Sequence, residues 1–138
     1  MRAMAFRRCV IVVSSVLLSL AAIAGPAAAA VQVQQIAEVD FGPSKITAEA
    51  AQSTYDDTAA SLYLVSYRKA AQHWEEQDRL RLRSEGDWFW YPLTSPQGTC
   101  HFHRDGDAII AGFLETPSAG CSPDARIQLH PDGHFVRY

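Results

Sequence analysis

Arg7-Arg8 stands directly before an apolar run from Cys9 to Ile23 that only Ser14, Ser15 and Ser19 interrupt. Gly25-Pro26 and four alanines, Ala27 to Ala30, follow it. A charged start, an apolar centre and a small-residue exit are the parts of a secretory signal peptide. The run falls short of the roughly 20 residues that cross a bilayer comfortably, so removal is expected rather than anchoring. Residues 1–30 are therefore read as a leader and 31–138 as one small exported domain, periplasmic or secreted. No second apolar stretch of spanning length follows, and no membrane insertion is expected after cleavage.

Export sets the chemistry of what remains. Of 138 residues with 12 Lys and Arg and 15 Asp and Glu, the leader takes three arginines and no acid. The remaining 108 residues carry a net charge of −6. Such a surface disfavours nucleic acid and anionic membranes as partners. The leader also takes Cys9, leaving Cys100 and Cys121. An even pair in an oxidising compartment predicts a disulfide. The absence of any C-x-x-C argues against a redox pair and against a structural zinc site.

Along the mature part, Ala48 to Leu80 contains no Gly or Pro and is rich in Ala, Gln and Glu. These residues favour helix, and Tyr55, Ala59, Leu62 and Val65 recur at helical spacing. A helical region over 48–78 is expected, with Asp56-Asp57-Thr58 as a break within it. Ser61 to Tyr67 is rich in β-formers, which keeps a strand there as the alternative. From Arg79 the period becomes two. Three hairpins are read: Arg79–Arg83 with Trp88–Tyr91, Thr99–Arg104 with Ala108–Leu114, and Ala125–His130 with His134–Tyr138. The expected class is α+β: an N-terminal helical region packed on an antiparallel meander of about six strands, stapled by one disulfide.

Catalytic signatures are missing. No G-x-S-x-G elbow and no phosphate-cradling glycine loop occur. Glu75-Glu76 and Asp56-Asp57 are adjacent pairs that diverge, and Asp105-Gly106-Asp107 reads as turn chemistry. No enzyme activity and no cofactor is expected. Four histidines, His101, His103, His130 and His134, would form a metal site only if the last two hairpins brought them together. Trp88, Phe89, Trp90 and Tyr91 alternate between two faces of a strand. If Trp88 and Trp90 were the exposed pair, they would suit a glycan or protein surface. Arg79, Arg81 and Arg83 form a ladder that is either a solvated face, an anion contact or a charge-protected edge.

The remaining profile is that of a small binding protein. An acidic exported domain suits a basic exported partner, through steering and charge complementarity. The expected role is inhibition of a cell-wall hydrolase or neutralisation of a secreted toxin, in the manner of an immunity protein. The loops Pro92–Gly98 and Thr116–Asp124 are candidates to enter the partner's cleft. Asp105, Asp107, Glu115, Trp88 and Trp90 are the candidate contacts. Glycan binding through the aromatics and metal binding through the histidines are the alternatives.

Overall fold

The computed structural model describes residues 31–83 and 88–137. Residues 1–30, 84–87 and 138, which include the expected leader and the expected first hairpin turn, lie outside them. Ten elements follow in order: β1 (Val33–Phe41), β2 (Ser44–Gln52), β3 (Ala59–Ala70), β4 (His73–Leu82), β5 (Trp88–Phe89), α1 (Trp90–Thr94), β6 (Thr99–Asp105), β7 (Ala108–Thr116), β8 (Gly120–Cys121) and β9 (Ala125–Gln128). One antiparallel sheet runs β1-β2-β3-β4, with β5 also on β3. The second runs β6-β7-β8, with β9 also on β7.

The expected α+β class, an N-terminal helical region packed on a meander of about six strands, is therefore overturned: the described residues form a mostly-β domain of two antiparallel sheets. Residues 48–78 form most of three strands, and the one helix described is the five-residue α1. Alternation outweighs alanine's helix propensity here. On β2, Ile46, Ala48 and Ala50 face the core, while Lys45, Thr47 and Glu49 face the other way in register with β1 and β3. Small alanines let the partner layer approach, and Leu62 and Leu64 of β3 lie directly beside Ala50 and Ala48. The expected hairpin of Arg79–Arg83 with Trp88–Tyr91 is also replaced. Trp88 and Phe89 pair with Ala60 and Ala59 of β3, and Trp90 begins α1. The second hairpin stands as β6 and β7, turning at Gly106 with φ +63°. Of the third, β9 pairs with β7, and Leu129 meets Phe135 in a single bridge.

One apolar core draws on both sheets. Ile46, Leu62 and Leu64 come from the first, and Ile109, Phe113 and Ile127 from the second. Trp88, Trp90 and Leu93 complete it from β5 and α1. Trp88 meets Phe113 edge-on, with ring centroids 6.0 Å apart. The expected disulfide is present between Cys100 on β6 and Cys121 on β8, Cα atoms 6.2 Å apart. A disulfide agrees with an extracytoplasmic location. Among the described residues no helix is long and apolar enough to cross a membrane.

The C-terminal segment is tied back to β4 by Asp78. Its carboxylate accepts from both terminal nitrogens of Arg137 at 2.8 and 2.9 Å, and from the Phe135 and Arg79 amides at 2.9 and 2.8 Å. The Arg137 hydrogen bonds, joined by the two amides, lower the Asp78 carboxyl from 3.8 to about 2. A depressed carboxylate stabilises the fold above its unfolded value, and that contribution fades as pH falls from about 4 to about 2. Arg137 is half exposed, so solvent screening reduces the effect to about 1 kcal/mol. Asp78→Asn should lower Tm by roughly 4–8 °C at pH 6. The gap to the native protein should close near pH 2, as thermal unfolding followed by circular dichroism would show.

Candidate functional site

The β2–β3 turn is built by short side chains that cap its backbone. The Tyr55 and Asp56 amides donate to the Ser53 hydroxyl at 3.2 and 3.3 Å. Asp56 accepts from the Thr58 amide at 2.9 Å and its hydroxyl at 2.7 Å, which holds the Asp56 carboxyl below its usual value. The Gln52 side chain donates to the Asp57 carbonyl at 2.7 Å. Such Asx and Ser turns fix a loop without burying it. Tyr55 stands at its tip, 96% exposed.

Two further aromatics adjoin this turn. Phe89 pairs with Ala59, and the Trp90 amide donates to the Thr58 carbonyl at 2.8 Å. Phe89 and Tyr91 point outward at 45% and 64% exposure, whereas Trp88 and Trp90 are buried at 2% and 8%. The alternation read from the sequence is therefore realised with the tryptophans inside. Their burial removes Trp88 and Trp90 as contacts for a partner or a glycan.

Beside Tyr91 the two candidate loops meet. Tyr91, Pro92, Ser95 and Gln97 from one side, and Leu114 and Pro117 from the other, line a mostly apolar groove of about 520 Å³. The start of β1 reaches the same end, since the Gln52 amide donates to the Gln32 carbonyl and Val33 lies beside Ala51. Among the described residues the large exposed apolar side chains are Val31, Val33, Tyr55, Trp74, Phe89 and Tyr91, and all but Trp74 belong here. The segments 31–35, 53–58, 88–98 and 116–124 contain Asp56, Asp57 and Asp124 and neither Lys nor Arg. Arg83, just after the end of β4, is engaged by Glu115 at 2.6 Å and lies 4.3 Å from the Trp88 ring centroid.

The other candidate residues are dispersed. Asp105 is ion-paired with Arg126. Asp107 sits before β7, and Glu115 lies about 27 Å of extended chain further on, at the other end of the molecule. His101 pairs with Asp124 at 2.9 Å across Gly112, and His134 with Asp132 at 3.3 Å. Among the described residues no group of three or more His, Cys, Asp or Glu is placed to hold a metal ion. The arginine ladder is occupied too. Arg79 and Arg81 flank the Tyr63 ring at 5.3 and 5.9 Å, and Arg79 pairs with Glu76 at 2.8 Å and Glu49 at 3.4 Å. Glu49 also accepts from the Tyr67 hydroxyl at 2.6 Å, and burial together with this contact pushes that hydroxyl up to about 12.

Tyr55, Asp56, Asp57, Phe89 and Tyr91 were not among the candidate contacts. The signal for the turn was present in Asp56-Asp57-Thr58, but a helix break and a hairpin turn use the same residues. No protein-family model matches the chain, and no curated protein and no solved structure is significantly similar to it.

Proposed function

We propose that this chain is an exported binding protein that docks on a basic partner, a cell-wall hydrolase or secreted toxin, through the end carrying Tyr55, Phe89 and Tyr91. One observation carries the reading: exposed aromatics and acids gather at this end while its segments contain no cation. Tyrosine and phenylalanine held on a fixed scaffold bury large areas at small entropic cost. Asp56 and Asp57 beside them favour a partner with a basic cleft. The turn at Tyr55 protrudes into that cleft, and the apolar groove receives a ridge of the partner. Occupation of the cleft inhibits the partner, and the reading assigns this chain no catalytic step. The compartment in which they meet is the periplasm or the extracellular medium.

The disulfide-bonded protein, used as bait for periplasmic and secreted fractions, should retain a basic hydrolase or toxin at one-to-one stoichiometry. Titration of that partner should then show the triple variant Tyr55→Ala, Phe89→Ala, Tyr91→Ala binding at least about 100-fold more weakly, as loss of hot-spot side chains does. Asp56→Asn with Asp57→Asn should slow association and flatten its salt dependence. Capture of an acidic partner, or unchanged affinity in the aromatic variant, would count against the reading.

A further inference from the structure

At the opposite end of the molecule the β1–β2 turn, the β6–β7 turn and the segment after β9 line a separate pocket of about 210 Å³ that is half open to solvent. Phe41, Pro43, Leu129 and Pro131 give it apolar walls. Ser44, Arg104, Asp107 and His130 supply four polar side chains.

These four groups are largely unspent, and Arg104 among them is held in place. Ser44 is only 5% exposed, and its hydroxyl has no hydrogen-bond partner among the described residues. Every fully buried side-chain nitrogen and oxygen described does have one, so the Ser44 hydroxyl opens onto the cavity that it lines. Arg104 donates from Nε to the Gly106 carbonyl at 2.8 Å and lies over the Phe41 ring at 4.5 Å. Those two contacts orient the guanidinium and leave its terminal nitrogens without a carboxylate among the described residues. The Asp107 carboxylate likewise has no side-chain partner there, and the His130 ring meets only the field of Asp132. Nearby acids differ: Asp105 is engaged by Arg126, and Asp132 by His134.

We propose that this cavity binds a free α-amino acid with an apolar side chain. The terminal nitrogens of Arg104 form a planar fork that matches a carboxylate. Asp107 accepts from an ammonium, and Ser44 and His130 complete the polar contacts. The apolar walls receive the side chain. Size limits the class further, because the volume lies below the 300–1,000 Å³ of ordinary ligand pockets. At about 30 Å³ per water it takes roughly seven heavy atoms within its walls, with the rest of a small amino acid at its open mouth.

Calorimetric titration of the disulfide-bonded protein with leucine, valine, phenylalanine and glycine tests the proposal. Saturable one-to-one binding is expected for at least one apolar amino acid and not for glycine. N-acetyl-leucine and leucinamide, which lack one charge each, should bind at least tenfold more weakly than leucine. Asp107→Asn should weaken binding at least tenfold with unchanged Tm, since its side chain holds nothing in the fold. Arg104→Gln should do the same, with Arg104→Lys keeping the stacked cation if the glutamine variant unfolds. Asp105→Asn should leave affinity unchanged. No saturable binding by any of the apolar amino acids would overturn the proposal. So would equal affinity for N-acetyl-leucine, or an Asp107→Asn protein that binds as the native one does.

Discussion

Replacing Gly98 with alanine is expected to destabilise the protein by at least about 3 kcal/mol and to dismantle the groove beside Tyr91. A Cβ at this buried position would lie 1.9 Å from the Leu93 carbonyl oxygen, 2.6 Å from its carbon and 3.0 Å from the Pro92 oxygen. All three are backbone atoms, so no side-chain rotation relieves the overlap. The chain between α1 and β6 would have to move. That segment is held by the Gly98 amide on the Ser95 carbonyl and by the Leu114 amide on the Gly98 carbonyl, both at 2.9 Å. Breaking them frees Pro92, Ser95 and Gln97 on one wall of the groove and Leu114 on the other. Urea unfolding would show the loss as a lower midpoint with an unchanged slope. A Gly98→Ala protein as stable as the native one would show that the loop takes another path.

Loss of the disulfide should cost about as much. The cysteines are 21 positions apart, and closing a loop of that length is worth about 3 kcal/mol in the chain-entropy account. For a domain whose total stability is expected near 5–15 kcal/mol, Cys100→Ser with Cys121→Ser removes a large share. The effect should also be directional. The bond ties β6 to β8, and β8 meets β7 only at Leu114 and Thr116. Without it the segment carrying Pro117 loses its covalent anchor, while β1 to β4 retain their pairing. Hydrogen exchange should therefore rise first in residues 116–124, and chemical denaturation should report the stability change. Uniform loss of protection across both sheets would contradict this division.

The second half of the chain is more legible than the first, for local reasons. Asp105-Gly106-Asp107 combines turn chemistry with a glycine at positive φ, and the hairpin around it is as read. Cys100 and Cys121 are joined, as expected once Cys9 is read as part of a leader. The first half misleads because propensity and pattern conflict. Alanine favours helix in isolation, yet Ala48 and Ala50 alternate with Thr47 and Glu49 on a strand buried on both faces. The β3–β4 turn carries no punctuation at all. Ala71 takes φ +52° where a glycine or asparagine would announce the reversal. Without that signal, the stretch through β3 and into β4 reads as part of one helical region over 48–78.

The surface at the Tyr55 end was only partly legible in the sequence. The loops 92–98 and 116–124 do share a surface, because β7 carries Leu114 back to the end where α1 ends. Sequence alternation separates Trp88 and Trp90 from Phe89 and Tyr91 without saying which pair meets the core. Phe113 decides it by receiving Trp88. The acids moved for a different reason. Asp105 and Asp107 lie in a turn at the far end of β7, and only the reversal at Ser53–Thr58 brings Asp56 and Asp57 beside the exposed rings.

The most direct test of the docking account is titration of the captured basic partner with the native protein and with Tyr55→Ala, Phe89→Ala, Tyr91→Ala, both checked for equal Tm. The account predicts one-to-one binding and inhibition by the native protein, and affinity at least about 100-fold weaker in the variant. Equal affinity in both proteins would contradict it and move the contact surface away from this end of the molecule.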